Sequence, residues 1–375
     1  MIQNIPFEPI LHYLYRILDI DPEEFSRRPQ EIWQALYQLS SKEMIVLYFI
    51  AWSYDNWREY FPDERQKEFK DYLFRNQSRN IVLQSEIVYL AKIFKDAEIP
   101  IMFLKGSAGL IRGLYPLSLR FISDIDALVP MNKIEPSREL LASRGFLQTH
   151  KQTFFDKIHH HIEPYNNPAY PGEIEIHINP YDLSCLKKPE MPEIWDDAER
   201  IPYKREEVIV PSITDHAWIL MRTDMLSKAF LPRIRDVIEM YQIQQKGYRV
   251  DFQLINKRAD KDNISNAVKG MSYACSKYMG LKPLPCDDSL LVKWEEWTLK
   301  YKRKFINKSK DDLFIIYCAG IRYLPSGIVY RIHFISWLLR YNLHTCLLIV
   351  LQKLLRITGF LKPAKRLRKY LKENF

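Results

Sequence analysis

The sequence is poor in glycine and cysteine and has no long apolar run, and each scarcity argues against a class of protein. Eleven glycines in 375 residues are about 3 %, against the roughly 7 % usual in proteins, so few Gly-rich nucleotide-binding loops are expected. The five cysteines are scattered without a Cys-x-x-Cys pair, which is typical of a reducing compartment and argues against structural zinc. No apolar stretch approaches the ~18 residues of a spanning helix, and the N-terminus has no signal-peptide pattern. These absences predict a cytoplasmic protein.

The positive charge of the chain is concentrated at its end. The formal net charge is +9, from 55 Lys and Arg against 46 Asp and Glu, and residues 351–375 carry +7 of it. A basic amphipathic end suits an anionic membrane surface, a phosphate-rich partner or a solvated final helix. The net positive charge therefore indicates at most a peripheral membrane contact through this tail. It says little about the rest of the chain.

Hydrophobic periodicity divides the chain into three regions. With 47 % hydrophobic and 27 % charged residues, its length suits two or three folded units. We predict a helical region at 1–78, a mixed α/β core at 79–210 and a helical domain at 211–375. Strands are predicted in the core at 99–104, 124–129, 146–153, 158–165 and 173–178. Helices are predicted at 81–97, 106–114, 133–143, 213–226, 234–244, 264–278 and 289–302. We expect an α+β fold, with a small mixed sheet between helical regions.

The segment 103–129 carries the clearest chemical pattern. Gly106 and Ser107 follow a predicted strand and open a helix, where backbone N–H groups and a hydroxyl can approach phosphate oxygens. Asp124 and Asp126 lie two residues apart on the next strand, so their side chains project from the same face. Two carboxylates this close repel each other unless a cation lies between them, which makes the pair a natural Mg²⁺ site. Together these residues predict a site for a nucleoside triphosphate and a metal ion.

This segment resembles the nucleotidyltransferase (polymerase-beta-like) superfamily. The superfamily signature is an apolar residue with Gly-Gly or Gly-Ser, followed by an apolar-flanked Asp-x-Asp. The sequence LKGSAGLIRGLYPLSLRFISDIDALV is more narrowly similar to an uncharacterised bacterial branch, which carries Leu-Lys-Gly, Tyr-Pro, an Arg and then Asp-Ile-Asp. The 16 residues between Ser107 and Asp124 exceed the usual superfamily gap and suit this branch. The resemblance covers roughly residues 98–180 and implies a nucleotidyltransferase core.

A third carboxylate is expected on a strand that faces the aspartate pair. Alternation in the predicted strand 173–178 places Glu173, Glu175 and His177 on one face. The resemblance favours Glu175, since the branch has an acidic residue, an apolar residue and His at this place. Glu175 would complete the metal shell or accept the proton of the attacking hydroxyl, with an exposed strand carboxylate as the alternative. His177 would orient Glu175, touch phosphate or serve as a structural histidine.

The resemblance implies a role for each of these residues. The catalytic and metal-binding residues would be Asp124, Asp126 and Glu175, with Mg²⁺ or Mn²⁺ as the cofactor. ATP or another nucleoside triphosphate would be bound by Lys105, Gly106, Ser107, Arg120 and His177. For Lys105 and Arg120, neutralisation of the triphosphate competes with a role as surface charges.

The expected reaction transfers a nucleoside monophosphate, AMP if the donor is ATP, to a hydroxyl group and releases pyrophosphate. The resemblance favours a peptide, a protein or a small molecule as the acceptor, and the sequence shows no RNA-binding module. Two alternatives stay open: a catalytically silent nucleotide-binding or interaction module, and an RNA-tailing enzyme.

Two further groups have competing interpretations. The run His159–His161 suggests zinc, but on a strand only two of its side chains could converge, so a place beside Glu175 is favoured. Arg235 and Asp236 lie on a predicted C-terminal helix. They would contribute to the nucleotide pocket or pin the helix in place, and we favour pinning.

Overall fold

The structure is a computed structural model that describes most of the chain up to residue 281. The described residues are 5–149, 162–180, 193–227, 233–261 and 265–281, together with 292, 295, 296 and 299. Several expectations lie outside them, namely those for His159–His161, the basic tail 351–375, and most of the helix predicted at 289–302.

The N-terminal region is helical, as its periodicity predicted. It forms α1 (Phe7–Leu18), α2 (Pro29–Lys42) and α3 (Val46–Asn56). Aromatic side chains make its core, because large rings bury much apolar area and stack on one another. Trp33 stacks on Phe69 at a centroid distance of 5.2 Å, and its Nε1 donates a hydrogen bond to Ser53 Oγ at 3.1 Å. The indole N–H is thereby satisfied inside the core.

A single long helix joins this region to the sheet. α4 runs from Asp63–Asp96 over 34 residues and passes without a break through the predicted division between residues 78 and 79. Its first half is mostly exposed, so apolar periodicity indicates only the second half. There the buried face includes Leu83, Ile87, Leu90 and Phe94, at the three- and four-residue spacing of a helix that packs on one side.

A seven-stranded mixed sheet forms the core and confirms the expected α+β class. In chain order the strands are β1 (Met102–Phe103), β2 (Asp124–Leu128), β3 (Leu147–Gln148), β4 (Tyr165–Asn166), β5 (Glu173–His177), β6 (Glu199–Tyr203) and β7 (Glu206–Val210). Their spatial order is β3-β4-β5-β2-β1-β7-β6. β2 pairs in parallel with β5 and β1 with β7, and the other neighbours are antiparallel. The sheet thus has its acidic strands β2 and β5 side by side near its middle.

The hairpin of β6 and β7 was not predicted as strands. Its residues are rich in Glu and Arg, and β6 is an edge strand with every second residue exposed. Charged edge strands such as β6 discourage pairing with other chains but give no apolar run. In β7 the apolar run is limited to residues 208–210, which is too short to indicate a strand by itself. The turn is closed by Lys204, whose φ of 55° lies in the left-handed region.

The remaining helices flank the sheet and follow it in the chain. They are α5 (Lys105–Ile111), α6 (Ile134–Ser143), α7 (Glu193–Asp196), α8 (Ile213–Ser227), α9 (Ile234–Gln245), α10 (Phe252–Lys261) and α11 (Ser265–Met279). Helices predicted within 106–114, 133–143, 213–226, 234–244 and 264–278 are confirmed to within a few residues. Among the described residues, no helix is both long and apolar enough to cross a membrane.

Candidate active site

Two neighbouring parallel strands bring the predicted acidic residues together. β2 and β5 pair in register, with Asp126 opposite Glu175 and Asp124 opposite Glu173. Residues opposite each other on parallel strands point to the same face of the sheet. The isoleucines between them are fully buried, which fixes this register because a shift by one residue would move the acids to the isoleucine face of the sheet. The acids therefore form a double row on one face.

Asp126, Glu175 and His177 form a compact cluster at this place, which we call the DEH cluster. His177 Nε2 lies 2.7 Å from Asp126 Oδ1 and 3.8 Å from Glu175 Oε2. One possible ligand atom from each residue lies within 4.8 Å of the others, and the described residues contain no second group of this kind. Carboxylate oxygens and imidazole nitrogens are common metal ligands, so the DEH cluster could hold a divalent cation.

Lys105 supplies a positive charge to the same cluster. Its Nζ lies 2.6 Å from Asp126 Oδ1, the oxygen that also meets His177. Lys105 is the first residue of α5 and has a φ of 46°, a left-handed conformation that costs energy for any residue with a Cβ. Such backbone conformations occur at functional sites, and here the strained residue is the one that meets the central aspartate.

The electrostatics of the cluster favour additional positive charge. Burial alone would raise the pKa of Asp126, but Lys105 and His177 outweigh it and hold that pKa well below its usual range. Burial, followed by repulsion from Asp126, raises the pKa of Glu175 to about 8 and also raises the pKa of Asp124. A divalent cation would relieve this repulsion. The donor set therefore fits the metal ion that the resemblance implies.

Asp124 lies at the edge of the cluster. It is the first residue of β2, and its Oδ1 accepts a hydrogen bond from Ser123 Oγ at 3.1 Å. The group of three described residues close enough to share an ion contains His177 in place of Asp124. The structure thus brings two of the three predicted metal ligands together with a residue that was predicted to contact the nucleotide. Metal binding by Asp124 stays a prediction.

Gly106 and Ser107 follow Lys105 on the first turn of α5 and are buried. The Ser107 side chain is fully buried, and its Oγ has no hydrogen-bond partner within the described part of the chain. The carbonyl group of Gly106 accepts a hydrogen bond from the Tyr115 hydroxyl, which ties this turn to the interior. Contact of these two residues with phosphate stays a prediction.

Arg120 lies in a buried polar cluster behind α5. Its guanidinium, with the residue only 6 % exposed, lies 3.4 Å from Glu239 Oε2 on α9 and 5.9 Å from the centre of the Tyr115 ring. The other oxygen of Glu239 lies 3.0 Å from His216 Nε2. The positive charge of Arg120 is therefore directed at an interior carboxylate. Its predicted role in neutralising the triphosphate has no support from this geometry.

Gly109, and not Gly106, is the glycine that the buried group of Arg120, Tyr115 and Glu239 requires. A Cβ at Gly109 would lie 2.8 Å from the Tyr115 ring, 2.9 Å from its hydroxyl and 3.0 Å from Glu239 Oε1, whereas a Cβ at Gly106 would meet Ile122 at 3.6 Å. We expect Gly109→Ala to lower the free energy of unfolding by about 1–3 kcal/mol through overpacking. Gly106→Ala is the matched control, with little loss of stability expected. Urea unfolding measures both, and equal stability of the two variants would contradict this assignment.

One face of α4 holds the backbone that leads into the site, a feature that was not predicted from the sequence. The side-chain amides of Asn76 and Asn80 both donate to the carbonyl groups of Leu117 and Arg120, at 2.7–3.1 Å. These carbonyls lie in the loop between α5 and β2. Buried amides positioned one turn apart thus fix the path of the chain toward Asp124.

Arg79 and Glu86 extend the same face of α4 to the starts of both acidic strands. Arg79 donates to the backbone carbonyls of Ile122, Ser123 and Pro171. Glu86 Oε2 accepts a hydrogen bond from the backbone N–H of Gly172 at 3.3 Å. A signal for this face exists in the sequence: polar residues 76, 79, 80 and 86 share the helical spacing of the buried Leu83 and Ile87. Polar residues on an apolar face indicate a buried hydrogen-bonding role.

The carboxyl group of Glu86 predicts an unusual dependence of stability on pH. Glu86 is fully buried, and burial raises its pKa to about 8, above the ordinary value of 4.5. Between these values the folded state retains a proton that the unfolded state has lost, so stability falls as the pH rises. Glu86→Gln should remove this contribution and increase stability relative to the wild type by a few kcal/mol at pH 8, but not at pH 4.5.

Urea unfolding across this pH range measures the effect. Glu64→Gln, which changes an exposed acid on the same helix, is the control and should follow the wild type. The other raised carboxyl groups, such as Glu175, remain in both proteins and cancel in the comparison. Parallel pH profiles for the wild type and Glu86→Gln would contradict a buried, protonated Glu86.

Arg235 and Asp236 lie at the start of α9. Arg235 Nε donates to Asp236 Oδ1 at 2.6 Å, and Arg235 Nη1 lies 3.1 Å from Met44 Sδ in the turn before α3. These contacts agree with the interpretation that the pair pins the helix. They connect the N-terminal helices to α9, which also carries Glu239.

The mixed sheet, the flanking helices and the carboxylates on adjacent strands are consistent with a nucleotidyltransferase core. A family model described as "Uncharacterised nucleotidyltransferase" matches residues 29–280, about two thirds of the chain. The chain therefore belongs to this family, which confirms the resemblance to the superfamily. The match includes the whole of α2 to α4 and of α8 to α11, so the family extends beyond the sheet into both helical regions.

Family membership supports nucleotidyl transfer as the general activity. It implies a nucleoside triphosphate as co-substrate and usually a divalent metal ion, with the DEH cluster as a candidate site. Neither the curated proteins nor the solved structures include one that matches the chain.

Proposed function

We propose that this protein is a metal-dependent nucleotidyltransferase that moves a nucleoside monophosphate to a hydroxyl group. The donor is a nucleoside triphosphate, ATP by preference, and the product besides the modified acceptor is pyrophosphate. The observation that carries this proposal is the in-register pairing of Asp126 with Glu175, together with His177 within 4.8 Å. An arrangement of mutually repelling carboxylates on a rigid pair of strands is costly unless a cation and a ligand use it.

The reaction is an in-line displacement at the α-phosphorus. The acceptor oxygen forms a bond to that phosphorus, the bond to the bridging oxygen of the β-phosphate breaks, and pyrophosphate leaves with the bonding electrons. The acceptor hydroxyl loses its proton in the same step. Glu175 is the proposed proton acceptor, because a carboxylate that is kept ionised by a neighbouring metal ion can take the proton of the attacking hydroxyl.

Other residues of the chain hold the reactants. Asp126 and Asp124 would hold Mg²⁺ or Mn²⁺ beside the triphosphate, with Glu175 completing the metal shell on the acceptor side. A divalent ion at this place would stabilise charge on the transferred phosphoryl group and lower the pKa of the acceptor hydroxyl. Lys105 is the cation that is best placed for the phosphates, because its Nζ is already at the cluster. It would neutralise part of the triphosphate charge as a point charge.

The acceptor is the open part of the reaction. We propose a peptide, a protein or a small molecule, and a site of action in the cytoplasm, where nucleoside triphosphates are abundant. A lipid contact of the basic tail 351–375 stays a prediction. The test is incubation of the purified protein with cell lysate and α-labelled nucleotides, followed by separation into protein, RNA and small molecules.

The expected result is metal-dependent label in protein or small molecules, absent with Asp126→Asn. Label in RNA ends would instead favour a tailing enzyme, with a steep salt dependence of RNA binding. Nucleotide binding without transfer to any fraction would favour the silent module.

A further inference from the structure

His177 is the member of the DEH cluster whose role the fold defines most closely. It is the last residue of β5, and its side chain is fully buried. On the neighbouring strand β2, Leu128 is its partner in register, so the imidazole can lean toward Asp126 without competing with an opposite polar side chain. The ring thus occupies a fixed place at the end of the acidic row.

The two ring nitrogens of His177 face different groups. Nδ1 lies 3.1 Å from the backbone carbonyl oxygen of Asn179, and a carbonyl oxygen can only accept a hydrogen bond. Nδ1 therefore donates a hydrogen bond to Asn179. Nε2 faces Asp126 and Glu175, where a proton lies between it and Asp126 Oδ1, and a metal ion bound there would take the place of that proton. This arrangement, in which one ring N–H is held by a backbone carbonyl, is the common outer-shell support of a metal-binding histidine.

We propose that His177 binds the metal ion directly through Nε2, so that the centre is a mixed Asp–Glu–His site that prefers Mn²⁺ to Mg²⁺. Mg²⁺ favours oxygen ligands and retains its water molecules. First-row transition ions accept imidazole nitrogen, and their affinity for such sites exceeds that of Mg²⁺. A site with one nitrogen ligand among its three side chains therefore discriminates against Mg²⁺.

Lys105 shows that this place attracts a cation. Its ammonium group lies 2.6 Å from Asp126 Oδ1, the oxygen that also meets His177, so a positive charge already lies against the central carboxylate. Ion binding at the DEH cluster would release Lys105 toward the triphosphate, a step that rests on the proposed function. The identity of the metal ligands does not depend on transfer activity. An experiment can therefore contradict metal binding by His177 without contradicting nucleotidyl transfer, and the reverse.

The test uses the full chain, freed of metal by chelation, with Mn²⁺ as the probe. Electron paramagnetic resonance of free Mn²⁺ measures its affinity, and competition measures that of Mg²⁺. We expect Mn²⁺ to bind at least about tenfold more tightly than Mg²⁺. Pulsed measurements on bound Mn²⁺ should show coupling to an imidazole ¹⁴N nucleus in the wild type.

Variants separate binding by His177 from a purely positioning role. His177→Asn should lose the nitrogen coupling and about tenfold or more of the Mn²⁺ affinity, with a smaller change for Mg²⁺. His12→Asn, at an exposed position on α1, should change neither. Absence of nitrogen coupling in the wild type would overturn the proposal, whether or not His177→Asn folds. Equal affinities of the wild type for Mn²⁺ and Mg²⁺ would also overturn it.

Discussion

Asp126→Asn should lower nucleotidyl transfer by about 10³-fold or more while the protein remains folded. Asp126 Oδ1 is the point at which Lys105 and His177 meet, and its carboxylate belongs to the DEH cluster. Removing its charge removes several kcal/mol of metal-dependent stabilisation of the transition state, and each factor of ten in rate corresponds to about 1.4 kcal/mol. Pyrophosphate release in the presence of metal and nucleotide measures the loss.

The matched control for this variant is Asp71→Asn, which makes the same change at an exposed position on α4. It should have wild-type turnover. Because Lys105 loses its ionic partner in Asp126→Asn, the fold of this variant has to be checked. Circular dichroism and urea unfolding provide that check. A folded Asp126→Asn protein whose turnover stays within about tenfold of the wild type would remove Asp126 from the mechanism.

Arg120→Met should destabilise the protein even more than Gly109→Ala does. It leaves Glu239, only 1 % exposed, without the guanidinium that lies 3.4 Å away. Breaking a buried ion pair by removing one partner costs about 3–5 kcal/mol, because the remaining charge is left uncompensated in the interior. Urea unfolding should show this loss in the free energy of unfolding.

The double variant Arg120→Met with Glu239→Gln distinguishes the two roles of Arg120. It leaves no unpaired carboxylate, and the amide oxygen introduced at position 239 could still accept a hydrogen bond from His216, so most of the lost stability should return. An unchanged stability of Arg120→Met, together with weaker nucleotide binding, would instead support the predicted role of Arg120 in binding the triphosphate.

The acidic strands were predictable because their chemistry and periodicity coincide. In β2 and β5, carboxylates alternate with buried aliphatic residues, so two-residue periodicity indicates both the strand and the face. Their parallel pairing was not predictable, since alternation is the same for any partner and direction. That pairing is what brings His177 into the cluster, and it explains why the sequence indicated three carboxylates where the structure gathers two and a histidine.

Long-range polar contacts account for the other features of the site that the sequence did not predict. The resemblance implied that Lys105 binds the triphosphate and Asp126 the metal ion, but a sequence does not show that their side chains meet. For Arg120, a triphosphate contact and a surface charge were the two alternatives, whereas its carboxylate partner Glu239 lies 119 residues away in the chain. In the sequence, the polar residues of α4 look like those of an ordinary solvent-exposed helix, because the backbone carbonyl groups that they contact lie far away in the chain. These contacts depend on the assembled fold, which local periodicity does not describe.

The most direct test of the central claim compares ATP labelled at the α-phosphate with ATP labelled at the γ-phosphate, in the presence of metal and of acceptors from a heat-inactivated lysate, whose own kinases, ATPases and pyrophosphatases no longer act. We expect the α-label to enter the acceptor and the γ-label to appear in pyrophosphate in equal amount. With Asp126→Asn we expect neither labelled acceptor nor labelled pyrophosphate. Transfer of the γ-label to the acceptor, or its release as orthophosphate, would contradict nucleotidyl transfer and assign a different reaction to this site.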